Sequence, residues 1–376
     1  MNARLYLDFN ASTPIAPEVA AAMRPYLTEH YGNPSAHHWA GAPAKAAVER
    51  ARGQVAALLG AGPDEVVFTS GGTEANNHAL LGAFLANRER GDHVVTSAVE
   101  HPAVRRPLEF LEQLGASVTV VGVDRQGRVD PEALRRALTP RTILVSVMHA
   151  NNEVGTLQPV AAIAAAAHAV GALVHTDAAQ SVGKIATDVE ALGVDLLSVA
   201  GHKLYAPKGV GALYVRRGTR LAPFMRGAGH ESGRRAGTES VLLDVALGAA
   251  CELAARRRDR GEVGALRDRF ERALLDRLGS RLTVNAGGAD RLPNTCSVNF
   301  VGRIGAELLA ALPHLAASTG SACHAGSVEL SPVLAARGVP PREGMGAVRF
   351  SLGRTTTWPE LEALVDQLAA ACASAS

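Results

Sequence analysis

The chain has 376 residues, 47% of them hydrophobic, enough to bury a full core as two domains or as one large domain with an appendage. Its 38 basic side chains nearly cancel 36 acidic ones, and a formal charge of +2 gives no reason to expect a nucleic-acid or membrane surface. Asp8 precedes any long apolar run, and VAAIAAAAHAVGALV (160–174) is too short to span a bilayer, so a cytoplasmic protein is expected.

Short runs rich in Val, Ile and Leu predict seven strands: VVFT (66–69), HVVTS (93–97), SVTVV (117–121), TILVSVM (142–148), ALVHTD (172–177), DLLSV (195–199) and GALYVR (211–216). Helical periodicity over 74–90, 101–114, 131–138 and 159–170 separates several of them. That alternation predicts an α/β fold with a mostly parallel sheet, whose ligands belong at the strands' carboxyl ends. A Gly- and Arg-rich loop follows at 226–238, then a helical stretch from 239 to about 279. Its charged run RRRDR (256–260) reads as a solvated helix face, because an acidic residue interrupts it. Strands at 282–285, 295–300 and 347–352 with intervening helices predict a smaller C-terminal α/β domain. The segments 226–238 and 320–346 are the sizeable flexible loops, and both contain chemically capable residues.

The four cysteines are far apart with no CxxC pair, which argues against a disulfide framework or a thiolate metal site. Cys251 and Cys372 sit in alanine-rich helical patterns and Cys296 in a strand pattern, so each is expected to be buried as a small hydrophobe. Cys323, in GSACHAGS (320–327), has no such packing explanation. His37 and His38 are adjacent and lack a partner at ligand spacing, so they read as entrance or surface residues, and no metal is expected.

Three segments could carry chemistry. VVFTSGGTEANN is a strand, a glycine pair and a helix start, which would aim the amides of Gly72 and Thr73 at a phosphate. LVHTDAAQSVGK ends a strand with Asp177, which could pair with a protonated pyridine nitrogen or simply cap the next turn. SVAGHKLYAPKG places Lys203 after a buried strand, where a desolvated amine could form a Schiff base; taken alone, the segment fits an exposed loop lysine better. The glycines follow this lysine, so a P-loop is ruled out. Phosphate cradle, acid and lysine on successive strand ends are together far more specific than any one of them.

FTSGGTEANN, SAVEHPAV, HANNEVG, HTDAAQSVGK, GHKLYAPKG, GTES, GSACH and RFSLGR resemble, in order and spacing, the motifs of the class V aminotransferase-like pyridoxal-phosphate enzymes, specifically the cysteine desulfurases. The resemblance runs from YLDFNASTP at residue 6 to beyond RFSLGRTTT at 357. RLPNTCS, ACH, SPVL and LGRTTT are also similar to selenocysteine lyases. The family implies a fold-type I transferase, with a large domain at 16–260 and a small domain formed by 1–15 and 261–376 that carries the cysteine loop.

Residue by residue, the resemblance makes Lys203 the Schiff-base lysine and Asp177 the partner of the pyridine nitrogen of pyridoxal 5'-phosphate. His101 would stack on the ring and help move protons. Asn152 and Gln180 would hydrogen-bond the substrate and the ring oxygen. Gly72, Thr73 and His202 would hold the phosphate, with Thr238 of GTES reaching over from a second subunit of a homodimer. Arg349 would clamp the substrate carboxylate. One position departs from the desulfurase pattern: Ala200 stands where many members have serine, which removes a phosphate hydroxyl.

The expected reaction converts L-cysteine to L-alanine, with sulfur held as a Cys323 persulfide and passed to an acceptor protein; release of selenium from L-selenocysteine is the alternative. Small residues around Cys323 would let it travel, and His324 beside it could help form the thiolate. An iron–sulfur scaffold, a tRNA-thiolation protein, a DNA-modifying system and a cofactor pathway all stay open as destinations of the sulfur.

Overall fold

The fold was taken from a computed structural model, which describes residues 4–256, 261–319, 321–324 and 327–373; the side chains of 320–328 lie outside the described residues. All seven predicted strands pair into one sheet: β1 (Val66–Thr69), β2 (His93–Ser97), β3 (Ser117–Val121), β4 (Thr142–Ser146), β5 (Leu173–Asp177), β6 (Leu196–Ala200) and β7 (Gly211–Val215), in the spatial order β1-β7-β6-β5-β4-β2-β3. Only β7 runs antiparallel to its neighbours. The sheet interior is buried on both faces, which is why these strands read as continuous apolar runs; β3, at the edge, alternates instead.

Helices Gly72–Asn87, Pro102–Gln113, Pro131–Ala137 and Val160–His168 form where the periodicity predicts them, and two large apolar clusters cover the sheet. The stretch read as one helix is two, Val241–Arg256 and Glu262–Leu278, and Arg257–Arg260 of the charged run lie outside the described residues.

A second sheet joins β8 (Leu282–Val284), β9 (Thr295–Phe300), β10 (Ser318–Thr319) and β13 (Ala347–Ser351) in the order β10-β13-β9-β8. It packs with Glu262–Leu278 and Trp358–Ala373 around its own core, which includes Leu7, Phe270, Val298, Phe350 and Leu368. The N-terminal strand Leu5–Tyr6 pairs with Leu315–Ala316 beside this core. The segment read as a loop from 320 carries backbone order: β11 (Ser321–His324) and β12 (Ser327–Leu330) pair as an antiparallel hairpin, with Cys323 opposite Val328. Short helices Pro332–Ala336 and Pro341–Gly344 follow. The first strand, Ser-Ala-Cys-His, has no apolar alternation to betray such a hairpin, whereas Val328 and Leu330 alternate with Ser327 and Glu329 in the second.

Cys251, Cys296 and Cys372 are buried, as their surroundings predict, and burial pushes the Cys251 thiol up to about 12. His37 and His38 are exposed. Among the described residues no helix is long and apolar enough to cross a membrane.

Candidate active site

The carboxyl ends of β1, β2, β4, β5 and β6 open onto one cavity of about 560 Å³, where a mostly parallel sheet is expected to bind its ligand. After β1 the chain turns through Gly71, whose φ of 149° favours glycine, and enters the helix that starts at Gly72. The turn also needs a glycine opposite it: a Cβ on Gly211 of β7 would lie 2.7 Å from the Gly71 carbonyl carbon. Gly72 and Thr73 line the cavity at this helix start. Glu74 braces the turn by accepting from Ser70 N at 2.8 Å and from Arg235 Nε at 2.8 Å.

After β2, Pro102 at the first helical position sets the start of the helix and makes His101 its cap. His101 Nδ1 accepts from Ala103 N at 3.1 Å, which leaves Nε2 as the protonated nitrogen. Burial lowers the basicity of this imidazole, partly offset by Asp177. Glu100 beside it is buried; Ser97 Oγ donates to it at 2.5 Å and Met148 N at 2.9 Å, tying the end of β2 to the end of β4. Burial pushes this carboxyl up to about 8, so near neutral pH it adds little negative charge next to His101.

Asp177 ends β5, buried, and accepts from Asn76 Nδ2 at 2.8 Å and Ala179 N at 2.9 Å. Lys203 follows β6 by one tight turn, Gly201–Lys203. Burial depresses its amine, the Asp177 carboxylate partly restores it, and Arg349 adds to the depression. His202 beside it is pushed down to about 4 by burial and by Lys203 and Lys208, and its buried Nδ1 has no partner among the described residues.

Arg349 on β13 is buried and lines the same cavity. Its Nη1 donates to the Asn152 carbonyl at 2.9 Å and its Nη2 to Asp8 Oδ1 at 2.6 Å, while Nε finds no partner among the described residues. Gln180 donates from Nε2 to the Asn10 carbonyl at 2.9 Å. The cavity thus gathers Gly72, Thr73, His101, Asn152, Asp177, Gln180, His202, Lys203 and Arg349. Thr238 is exposed and does not line its own chain's cavity, and the Cys323 side chain lies outside the described residues.

Asp8, Asn10, Asn76 and Glu100 escape the sequence reading although they support these groups. YLDFNASTP is visible as a motif, but nothing in its spacing shows which side chains turn inward.

The donor set fits pyridoxal 5'-phosphate. Gly72 and Thr73 at the helix start, with His202 lining the same cavity, suit a phosphate, and a buried carboxylate and an amine depressed by burial suit an aldehyde-bearing pyridine. Fold and site together define a pyridoxal-phosphate-dependent α/β enzyme. The aminotransferase class-V family pattern matches residues 5–364. A cysteine desulfurase from Gluconacetobacter diazotrophicus is 49% identical over 97% of this chain and 92% of its own length. The cysteine desulfurase IscS of Dictyoglomus turgidum is 45% identical over 98% of this chain and 94% of its own. Among solved structures, a NifS-like protein superposes with a TM-score of 0.92 at 34% identity, covering 99% of this chain and 100% of that one. SspA in complex with cysteine superposes with a TM-score of 0.83 at 37% identity, covering 93% and 98%. The chain belongs to the class-V aminotransferase family and, within it, to the cysteine desulfurases.

Proposed function

We propose that the chain converts L-cysteine to L-alanine and carries the sulfur as a persulfide on Cys323 for delivery to an acceptor protein. The observation that carries this reading is the convergence of Lys203, Asp177 and Arg349 on one cavity in a chain of this family. Bound pyridoxal 5'-phosphate supplies an electron sink for the bonds at the substrate's α-carbon. Asp177 would pair with its pyridine nitrogen, His101 would stack on its ring, Gln180 would serve its ring oxygen, and Gly72, Thr73 and His202 would hold its phosphate. Arg349 orients the substrate by its carboxylate, with Asn152 beside it.

Lys203 moves the α-proton. Burial lowers the basicity of its amine, so more of it is free to act as a base than in an ordinary lysine. Cys323 Sγ then bonds to the substrate sulfur as the carbon–sulfur bond breaks. The electron pair of that bond stays with carbon, which is protonated and leaves as alanine, so thiol and cysteine become persulfide and alanine with no external oxidant.

The relatives above are named for cysteine, which favours it over selenocysteine as substrate. The protein acts as a cytoplasmic homodimer, with residues 16–260 as the large domain and 1–15 with 261–376 as the small one. The exposed Thr238 reaches the phosphate end of the partner's cavity.

The test is alanine released from L-cysteine, with a thiol reductant present, by the purified protein and by Cys323→Ala. Release by the first and its collapse in the second supports the persulfide route; equal release by both sinks it. Absence of release from either, with selenocysteine turned over instead, moves the substrate to selenium.

A further inference from the structure

Lys184 is a half-buried lysine beside the cavity, and none of the roles above uses it. It ends the turn after β5, four residues beyond Gln180, and points inward rather than to solvent. Its Nζ donates to Gln180 Oε1 at 3.0 Å and to Asn10 Oδ1 at 3.1 Å. Burial and the charges of Lys203 and Arg349 push its amine down to about 7. A neutral amine still has two N–H bonds, enough for both oxygens, so the contacts do not depend on its charge.

The two neighbours of Gln180 impose one orientation on its amide. The Asn10 carbonyl can only accept, so it selects Nε2 at 2.9 Å, which turns Oε1 toward Lys184 to accept its N–H at 3.0 Å. With Oε1 held away by Lys184, the second Nε2–H is left for the cavity that Gln180 lines.

Asn10 is held in the same way. Its Oδ1 accepts from Lys184 and from Asn294 Nδ2 at 3.0 Å, and its Nδ2 donates to Thr295 Oγ1 at 2.8 Å and to the Asn152 carbonyl at 3.3 Å. The Asn152 carbonyl also accepts from Arg349. One buried amine thus anchors the amide on the cofactor side and the asparagine that joins it to the substrate side.

We infer that Lys184 is a positioning residue that fixes the Gln180 amide with Nε2 toward the cofactor's ring oxygen. This rests on the proposed role of Gln180. In Lys184→Met the amide loses one of its two orienting partners and the ring oxygen loses a directed donor. A ring oxygen without its donor is more basic, so the pH midpoint of the bound cofactor's visible absorption change rises.

The experiment compares wild type, Lys184→Met, Gln180→Ala and the double variant as full-length protein. Thermal melts serve as the folding control. The apo proteins are titrated with pyridoxal 5'-phosphate, and the absorption midpoint of the loaded proteins is followed against pH. Lys184→Met is expected to raise the midpoint by about half a unit or more and to weaken cofactor binding about threefold. The double variant is expected to match Gln180→Ala alone, because the lysine acts through that amide.

An unmoved midpoint in folded Lys184→Met overturns the inference, as does an equal shift in the Gln180→Ala background. If Gln180→Ala itself moves nothing, the ring-oxygen role of Gln180 fails and the inference falls with it, a pattern distinct from failure of the lysine alone. Should Lys184→Met not fold, Lys184→Ala replaces it. Lys184 borders a second cavity of about 430 Å³, so water can enter the vacated space and accept either amide orientation.

Discussion

Arg349 is already paired before any substrate arrives: its Nη2 lies 2.6 Å from Asp8 Oδ1 and 2.9 Å from Ser318 Oγ, and only Nε lacks a partner among the described residues. A substrate carboxylate must therefore share the guanidinium with Asp8. Asp8→Asn keeps an oxygen acceptor and removes the competing charge. The expected result is a KM for L-cysteine lowered about threefold or more, with stronger inhibition by alanine and little change in kcat. A raised KM would show that Asp8 orients Arg349 rather than competes for it.

Ala200 sits on the cavity wall at the end of β6, its Cβ 3.1 Å from where a Cβ on Gly72 would lie. Ala200→Ser places a hydroxyl near the proposed phosphate end. A hydrogen bond to a charged group contributes about 1.5–3 kcal/mol, so pyridoxal 5'-phosphate should dissociate from the variant about tenfold more weakly than from wild type. Equal dissociation constants, measured by titration of the apo proteins, would place the phosphate elsewhere.

Lys203→Ala removes the buried amine while leaving Asp177 held by Asn76 and Ala179. Alanine production should fall by about three orders of magnitude or more, and the visible absorption of a lysine-linked cofactor should vanish. Retention of that absorption would assign the linkage to another lysine, with Lys184 and Lys208 the first to check.

The loop that carries Thr238 is anchored by a buried ion pair. Glu231 accepts from Arg52 Nη1 at 2.7 Å, Arg52 Nη2 at 2.8 Å and Phe68 N at 2.9 Å. It does so with a left-handed backbone, φ 50°, that a residue other than glycine adopts only when its surroundings hold it there. Glu231→Ala leaves Arg52 with the longer contact to the exposed Glu49 at 3.4 Å and the Val66 carbonyl, strands one backbone N–H, and should cost about 3 kcal/mol in denaturant unfolding. A loss below about 1 kcal/mol would mean that water reaches Arg52.

The central sheet was legible because every strand except the edge strand β3 is buried on both faces and reads as a largely apolar run, and Asp177 and Lys203 were legible because one ends such a run and the other follows one. Arg349 was visible only through family motifs, since an arginine within a strand pattern has no periodic signature; Cys323 stood out because its small neighbours offer no packing explanation, and only the family motifs suggested a role for it. Asn10, Glu100 and Lys184 were hidden for a different reason. Their contacts join segments distant in the chain, as when Lys184 meets Asn10, so only the fold shows that they turn inward. The hairpin at 321–330 was hidden because its first strand, Ser-Ala-Cys-His, has no apolar alternation, and the alternation of Ser-Val-Glu-Leu is too short to announce a partner by itself.

Asp244, on the helix Val241–Arg256, lies beneath the loop that carries Glu231. Its carboxyl is buried, with Oδ2 unpartnered among the described residues, and burial together with the Glu231 charge pushes it up to about 8. Unfolded, it titrates at about 4. Between these values the folded chain binds the extra proton, so this group's contribution is fully present below about pH 4 and is lost as pH rises toward about 8. Asparagine mimics the protonated acid and cannot ionise. Relative to wild type, Asp244→Asn should therefore gain stability steadily across this window, by at most about 1.4 kcal/mol per pH unit. The difference between the two proteins' unfolding free energies, measured at several pH values, isolates Asp244 from the buried histidines, which titrate in both. Parallel profiles would show that Asp244 ionises in the folded protein as it does in the unfolded one, with Arg52 and Arg235 supplying the compensation.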